Sequence, residues 1–128
     1  MNPKQFLQVG GVVLLLIGIL GFIGILGPTA DQSPFGAAWF FDNAENWAHT
    51  VLGIVALACA MWLPSPAQKP LVMLLGVVSL LFGLYSLFGP VTEGKMFMAA
   101  SLQNPSDTIL HLVVGVWALW ASKGSQMA

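Results

Sequence analysis

Four long apolar runs, set apart by short polar or proline-bearing stretches, dominate the chain: Phe6 to Leu26, Asn43 to Leu63, Leu71 to Phe88 and Asn104 to Ser122. The first is 21 residues long and holds no charge. A bilayer core takes about 20 such residues in a helix. The apolar core of a signal peptide is shorter, roughly 7–15 residues, and a small-x-small cleavage pattern would follow it. None does, so this run reads as a retained span with Lys4 in front. Gly27-Pro28 is predicted to end the first helix and Gly89-Pro90 the third. Glycines at 18, 21, 24 and 27, and the set Gly76, Ser79, Gly83 and Ser86, give these two runs a stripe of small residues. In lipid such stripes let helices approach closely, and they are the expected surface for binding other membrane proteins.

The segments between the runs are short. Asp42 and Glu45 have capping-box spacing and predict where the second helix starts. Pro64, Pro66 and Pro70 predict a tight, non-helical link before the third. The apolar piece Pro34-Phe35-Gly36-Ala37-Ala38-Trp39-Phe40-Phe41 is too short to span, and its aromatic rings suit the headgroup region. It predicts a short interfacial helix, or else a lid over whatever lies between the helices, and Met96 to Leu102 takes the place of that helix in the second half. Asn104 with Pro105 predicts the start of the fourth helix, and the tail to Ala128 is expected to fray.

The chain also repeats itself. Sliding it by 62 without a gap brings Gly21 onto Gly83, Gly27-Pro28 onto Gly89-Pro90, Phe35 onto Phe97, Ala37-Ala38 onto Ala99-Ala100, His49 onto His111, Val51 onto Val113, Gly53 onto Gly115, and Ala56-Leu57 onto Ala118-Leu119. Glu45 meets Asp107 and Asp31 meets Glu93. The expected architecture is therefore an all-α membrane protein, a single four-helix transmembrane domain over residues 1–128. It is a tandem duplication of a helical hairpin (repeats 1–62 and 63–124) with short interfacial helices in the outer loops. Each unit holds two spans, so the halves should be related by an axis along the membrane normal. Lys4, Lys69 and Lys123 fall on one side and all five acids, with Lys95, on the other. The positive-inside rule then puts both termini in the cytoplasm.

Composition narrows the function. Charged residues make up 7% of the chain, against about 25% in a soluble domain. Four lysines against five acids provide no basic face for nucleic acid. The single cysteine, Cys59, has no partner for a disulfide or a thiolate metal site. Trp62, Trp117 and Trp120 are expected as interfacial anchors. The sequence holds no Ser/His/Asp set and no phosphate loop, and the chain reads as no enzyme.

Candidate chemistry rests on the two histidines, His49 and His111. Each lies seven residues past its helix cap, roughly 10 Å into the bilayer. Glu45 and Asp107, one turn before, are placed to touch and orient the rings; Gly53 and Gly115, one turn after, leave a notch on the same face. An ionisable residue inside a membrane suggests a function. One reading has the imidazoles tie the bundle together, with no cofactor. A second has them ligate haem b or a chlorophyll-type pigment, with the glycines giving a flat ring somewhere to lie. A third makes them a proton relay.

The element Asn104-Pro105-x-Asp107-x-x-Leu110-His111-Leu112-x-x-Gly115 resembles one found in a family of small bacterial four-helix integral membrane proteins of unknown function. Asn46, His49 and Gly53 match in part that family's similar element on an earlier helix, while Asn43-Ala44-Glu45 departs from it. The resemblance covers the second and fourth runs. It implies a four-span fold and a bacterial inner-membrane location, and brings no activity. The expected function is a non-enzymatic accessory or structural subunit in the lipid bilayer, packed against other membrane proteins or against itself as a homo-oligomer.

Overall fold

The computed structural model describes residues 1–88, 95–97, 100–102 and 106–124. Its helices are α1 (Pro3–Phe22), α2 (Asn43–Trp62), α3 (Ser65–Phe88) and α4 (Ser106–Ser122). The first three are long and apolar enough to cross a membrane; α4, at 17 residues, is an apolar helix of shorter length. Among the described residues α1 packs along α2 and α3 along α4, and α1 also touches both helices of the second pair.

Local chemistry sets the helix ends. α1 begins earlier than its apolar run because Asn2 and Gln5 form a capping box and Pro3 occupies the first turn, where a missing N–H costs nothing. It also ends earlier. The amides of Ile25 and Leu26 both turn back to the Leu20 carbonyl, and Gly24 adopts φ +83°, a conformation that suits glycine. α2 starts where its cap predicts: the Glu45 amide donates to Asp42 Oδ1 at 2.9 Å, and the Asp42 amide to Glu45 Oε1 at 3.4 Å.

The proline-rich link departs from expectation. α3 starts at Ser65 and takes in both Pro66 and Pro70. Pro66 lies in the first turn, where no intrahelical donor is needed. Pro70 deprives only the carbonyl of Pro66, which is exposed. The link shrinks to Leu63 and Pro64 because Gln68 fastens it. Gln68 is 2% exposed, and its Nε2 lies within 3.0–3.5 Å of the carbonyls of Cys59, Ala60 and Leu63 at the end of α2, of which Cys59 also accepts the Leu63 amide.

The outer loops also differ from the short helices expected there. The first has two single 3₁₀ turns, Ala30–Gln32 and Gly36–Ala38. The second has an antiparallel ribbon, β1 (Lys95–Phe97) with β2 (Ala100–Leu102), pairing Met96 with Ser101. β-branching and aromatic content do not distinguish these short apolar pieces, so length and pattern alone leave helix and strand open. The expected stop at Gly89-Pro90, the cap at Asn104-Pro105 and the tail beyond Gly124 lie outside the described residues.

The two hairpins are built on matching close contacts. A Cβ on Gly53 would stand 2.7 Å from the Leu15 amide nitrogen and 2.8 Å from the Gly11 carbonyl. One on Gly115 would stand 2.6 Å from Leu80 Cγ and 3.0 Å from the Gly76 carbonyl. Gly11 faces Leu57 in the first pair as Gly76 faces Leu119 in the second. The small-residue stripes are thus consumed within the hairpins, and the expectation that they form an outward binding surface is corrected. Glycines in matching contacts on α2 and α4 are 62 apart, while those on α1 and α3 are 65 apart, the connection from α3 to α4 being three residues shorter than that from α1 to α2. At that spacing Lys4, Gly11, Val12, Val13, Leu15, Leu16 and Gly18 fall on identical residues in α3, matches that the ungapped slide misses.

Between the hairpins lie two tiers. At the end carrying the termini, Phe6, Leu7, Ala56, Ala60, Val72, Ala118 and Ala121 form an apolar cluster, with Trp117 edge-on to Phe6 at 4.6 Å. Trp62 and Trp120 face outward there, while Trp117 turns inward and its indole reaches Met1 Sδ at 3.0 Å. The opposite end is polar, with Glu45, Asn46, Asp107, Thr108 and Ser86 all buried.

Gly53→Ala is expected to lower stability by about 1–3 kcal/mol through overpacking. Gly10→Ala, whose Cβ would meet only the Phe6 ring at 4.0 Å, should be neutral or stabilising. Denaturant titration of the detergent-solubilised chain checks the pair. Gln68→Leu should cost about 2 kcal/mol in the same assay, by stranding carbonyls at the end of α2.

Candidate functional site

The capping box sets Glu45 one turn ahead of His49 on α2, and α4 places Asp107 one turn ahead of His111. Both acids are withdrawn from solvent, Glu45 at 5% and Asp107 at 0% exposure. They lie within electrostatic range of each other, as do the two imidazoles. The fold therefore brings together all four ionisable residues that the sequence singles out.

Their bonding differs from the expected acid-to-ring pairing. His111 Nδ1 lies 2.7 Å from the main-chain carbonyl of Asp107. The Asp107 carboxylate accepts the indole N–H of Trp39 at 3.3 Å. The Glu45 carboxylate closes its own capping box on the Asp42 amide. His49 Nδ1 is buried with no hydrogen-bond partner among the described residues, and the ring meets the edge of Phe41 at 4.9 Å. His111 instead leans over Phe82 at 5.6 Å. One imidazole is thus fixed by its own helix, and the other meets Phe41 with its Nδ1 unpartnered among the described residues.

The notches expected at Gly53 and Gly115 are closed. The main chain of α1 occupies the first and the Leu80 side chain the second. Helix packing in lipid depends on such approaches, so the glycines that look like room for a flat ligand are the seams of the hairpins.

Residues outside the expected set complete the site. Asn46 is fully buried; its Nδ2 donates to the Phe41 carbonyl at 3.2 Å, while Oδ1 lies against Gly21 with no partner among the described residues. Thr50 Oγ1 likewise abuts Gly18 with no partner among the described residues. At the corresponding level of the second hairpin, Ser86 and Thr108 share a 2.6 Å hydroxyl bond, and Ser79 Oγ donates to the His111 carbonyl at 2.7 Å. Sliding Asn46 by 62 lands on Thr108, which is the signal that pairs these levels. Trp39 and Phe41, by contrast, left no mark beyond their aromatic character.

Two further contacts join the hairpins at this end. Ser106 Oγ donates to the Ala38 carbonyl at 2.8 Å, next to the Trp39–Asp107 bond, so the first outer loop fastens onto α4. In turn β2, from the second outer loop, packs against α2. Below Trp39 an apolar groove runs down the outward face of α4, between Ile109, Leu110 and Val113. No cluster of three or more metal-ligating side chains occurs among the described residues.

A swap between the two hairpins tests this reading of their levels. Gly21→Ser alone drives a side chain into Asn46 and is expected to cost about 2 kcal/mol or more. Adding Asn46→Thr recreates the Ser86–Thr108 arrangement and should recover at least about 1 kcal/mol, read as the coupling term of a double-mutant cycle.

Comparison of the chain with family models, with curated proteins and with solved structures finds no match.

Proposed function

We propose that the chain is a non-enzymatic multi-pass protein of the bacterial cytoplasmic membrane, an accessory or structural subunit that packs against other membrane proteins or a second copy of itself. The observation that carries this reading is where the packing space goes. The seams of both hairpins are filled by the chain's own helices, leaving the exterior as the surface for contact. There Val51, Ile54 and Val55 on α2, Leu74 and Leu81 on α3, and Ile109, Val113 and Val116 on α4 are each at least 50% exposed.

In this reading α4 crosses as the fourth span, its 17 residues reaching about 26 Å, with tilt or local bilayer thinning taking up the difference. Lys4, Lys69 and Lys123 lie at the end of the bundle with the termini, and Asp31, Asp42, Glu45 and Asp107 at the other, which supports cytoplasmic termini. The hairpins are tandem copies standing side by side in the same orientation. Matching glycine seams, seven identities between α1 and α3 at a 65-residue offset, and outer loops that each reach across to the other copy's second helix support this. Membership of the small four-helix family rests in this proposal on the resemblance of the Asp107–His111–Gly115 element alone.

The alternative is a binder of haem b or a (bacterio)chlorophyll through His49 and His111. One observation favours it. A ring whose Nδ1 is engaged by a carbonyl, as in His111, presents Nε2 as a ligand. The filled notches at Gly53 and Gly115 weigh against it.

Purification in mild detergent separates the two. The accessory reading expects a colourless protein that brings a stoichiometric membrane partner or a second copy, lost when Val51 and Ile54 are both changed to Trp. A Soret or bacteriochlorophyll band that disappears in His49→Ala and His111→Ala would replace it with the alternative.

A further inference from the structure

The acidic side chains of this chain are Asp31, Asp42, Glu45, Glu93 and Asp107. Along the sequence they fall in the two outer connections or in the first turns of α2 and α4. The end that carries the termini has none, and it holds Lys4, Lys69 and Lys123, all exposed. Lys69 on α3 is the counterpart of Lys4 on α1 at the 65-residue offset. Lys123 follows α4, and the next residue, Gly124, lies so close to the start of the chain that a Cβ there would stand 2.9 Å from Asn2 Cα. Lys123 thus adjoins the N-terminal turn that bears Lys4.

The helices fix the depth of these lysines. The first strongly exposed large apolar residue of α1 is Val9, five residues after Lys4, and that of α3 is Met73, four after Lys69. On α4 the last is Trp120, three before Lys123. At about 1.5 Å per residue the lysines stand roughly 4–8 Å outside the apolar belt. That is headgroup depth, and lysine stems can lie along apolar surface with the charge in the polar zone. Among the described residues this end carries no raised loop. α1 opens at Pro3, and Leu63 and Pro64 alone join α2 to α3. Beside the lysines Trp62 and Trp120 are 74% and 60% exposed, as suits a membrane interface. A cationic face at this depth meets lipid headgroups before it meets an acidic protein segment.

We infer that the terminal face, through Lys4, Lys69 and Lys123, binds anionic phospholipid headgroups of the adjoining leaflet. The inference rests on the four-span reading, which puts this end at a membrane surface. A zwitterionic headgroup brings no net charge to the lysines, whereas an anionic one does, and no acidic side chain at this end competes with it. Each lysine near an anionic surface is worth about fivefold in binding.

Native mass spectrometry of the full chain tests this. The chain is released from neutral-detergent micelles holding equal amounts of phosphatidylglycerol and phosphatidylcholine with the same acyl chains, and the retained lipids are counted. The wild type should keep phosphatidylglycerol at least about tenfold in preference. Lys69→Gln and Lys123→Gln should each lower that preference about three- to fivefold, and the double variant should remove it. Lys69→Arg and Lys123→Arg keep the charge and should keep the preference, as should Lys95→Gln in β1 of the opposite end. Equal retention of the two lipids by the wild type overturns the inference. So does a preference that survives in the double variant, or one that Lys95→Gln lowers as much. Equal retention together with lysine-dependent binding of poly-glutamate gives the face to an acidic protein segment instead. Polarised infrared spectroscopy of the chain in vesicles keeps the two readings apart. Upright helices with equal lipid retention sink this inference alone, whereas helices lying in the membrane plane remove the four-span reading beneath it.

Discussion

Backbone-to-backbone contact at glycine is the constraint on which this structure depends. In lipid, apolar side chains gain nothing by leaving their surroundings, so helices associate through close packing and polar contacts. Gly11 against Gly53 and Gly76 against Gly115 bring main chains to within reach of each other's carbonyls. Each pair sets the depth at which its hairpin locks, and hence the level at which Glu45, His49, Asp107 and His111 lie. A side chain at any of these four glycines would displace the ionisable cluster as well as the seam.

The pattern of apolar runs and caps placed α2 to within a residue, because Asp42 and Glu45 carry the start of the helix in their own side chains. α3 was less legible. Pro66 and Pro70 read as breakers, and what overrides them is Gln68, a polar residue whose reach to the end of α2 exists only once the turn has formed. The proposed repeat has its clearest sequence signal in the second helices, where His49 and His111 mark the register. In the first helices it was obscured by a three-residue difference in loop length, which puts Gly18 rather than Gly21 opposite Gly83.

The site was legible in its members and not in its bonds. Spacing put each acid a turn from its histidine, and the fold gathers all four. Spacing alone could not tell that the Asp107 main chain, not its carboxylate, would hold a ring, or that Trp39, sixty-eight positions earlier, would take the carboxylate. Nor could it tell a notch from a seam: a glycine one turn from a histidine looks the same whether a ligand or a neighbouring helix fills the space. Long-range partners decide these points, and they leave no local pattern.

The uneven polar contacts of the two hairpins carry a mechanical consequence. Where α3 and α4 are stitched by the Ser86–Thr108 and Ser79–His111 bonds, α1 and α2 meet through Gly18 and Gly21 with Asn46 Oδ1 and Thr50 Oγ1 unanswered among the described residues. The second hairpin thus carries two hydrogen bonds between its helices at levels where the first has glycine contacts. Sliding α4 along α3 at that level therefore breaks two hydrogen bonds, a cost that sliding α2 along α1 at Gly18 and Gly21 does not carry.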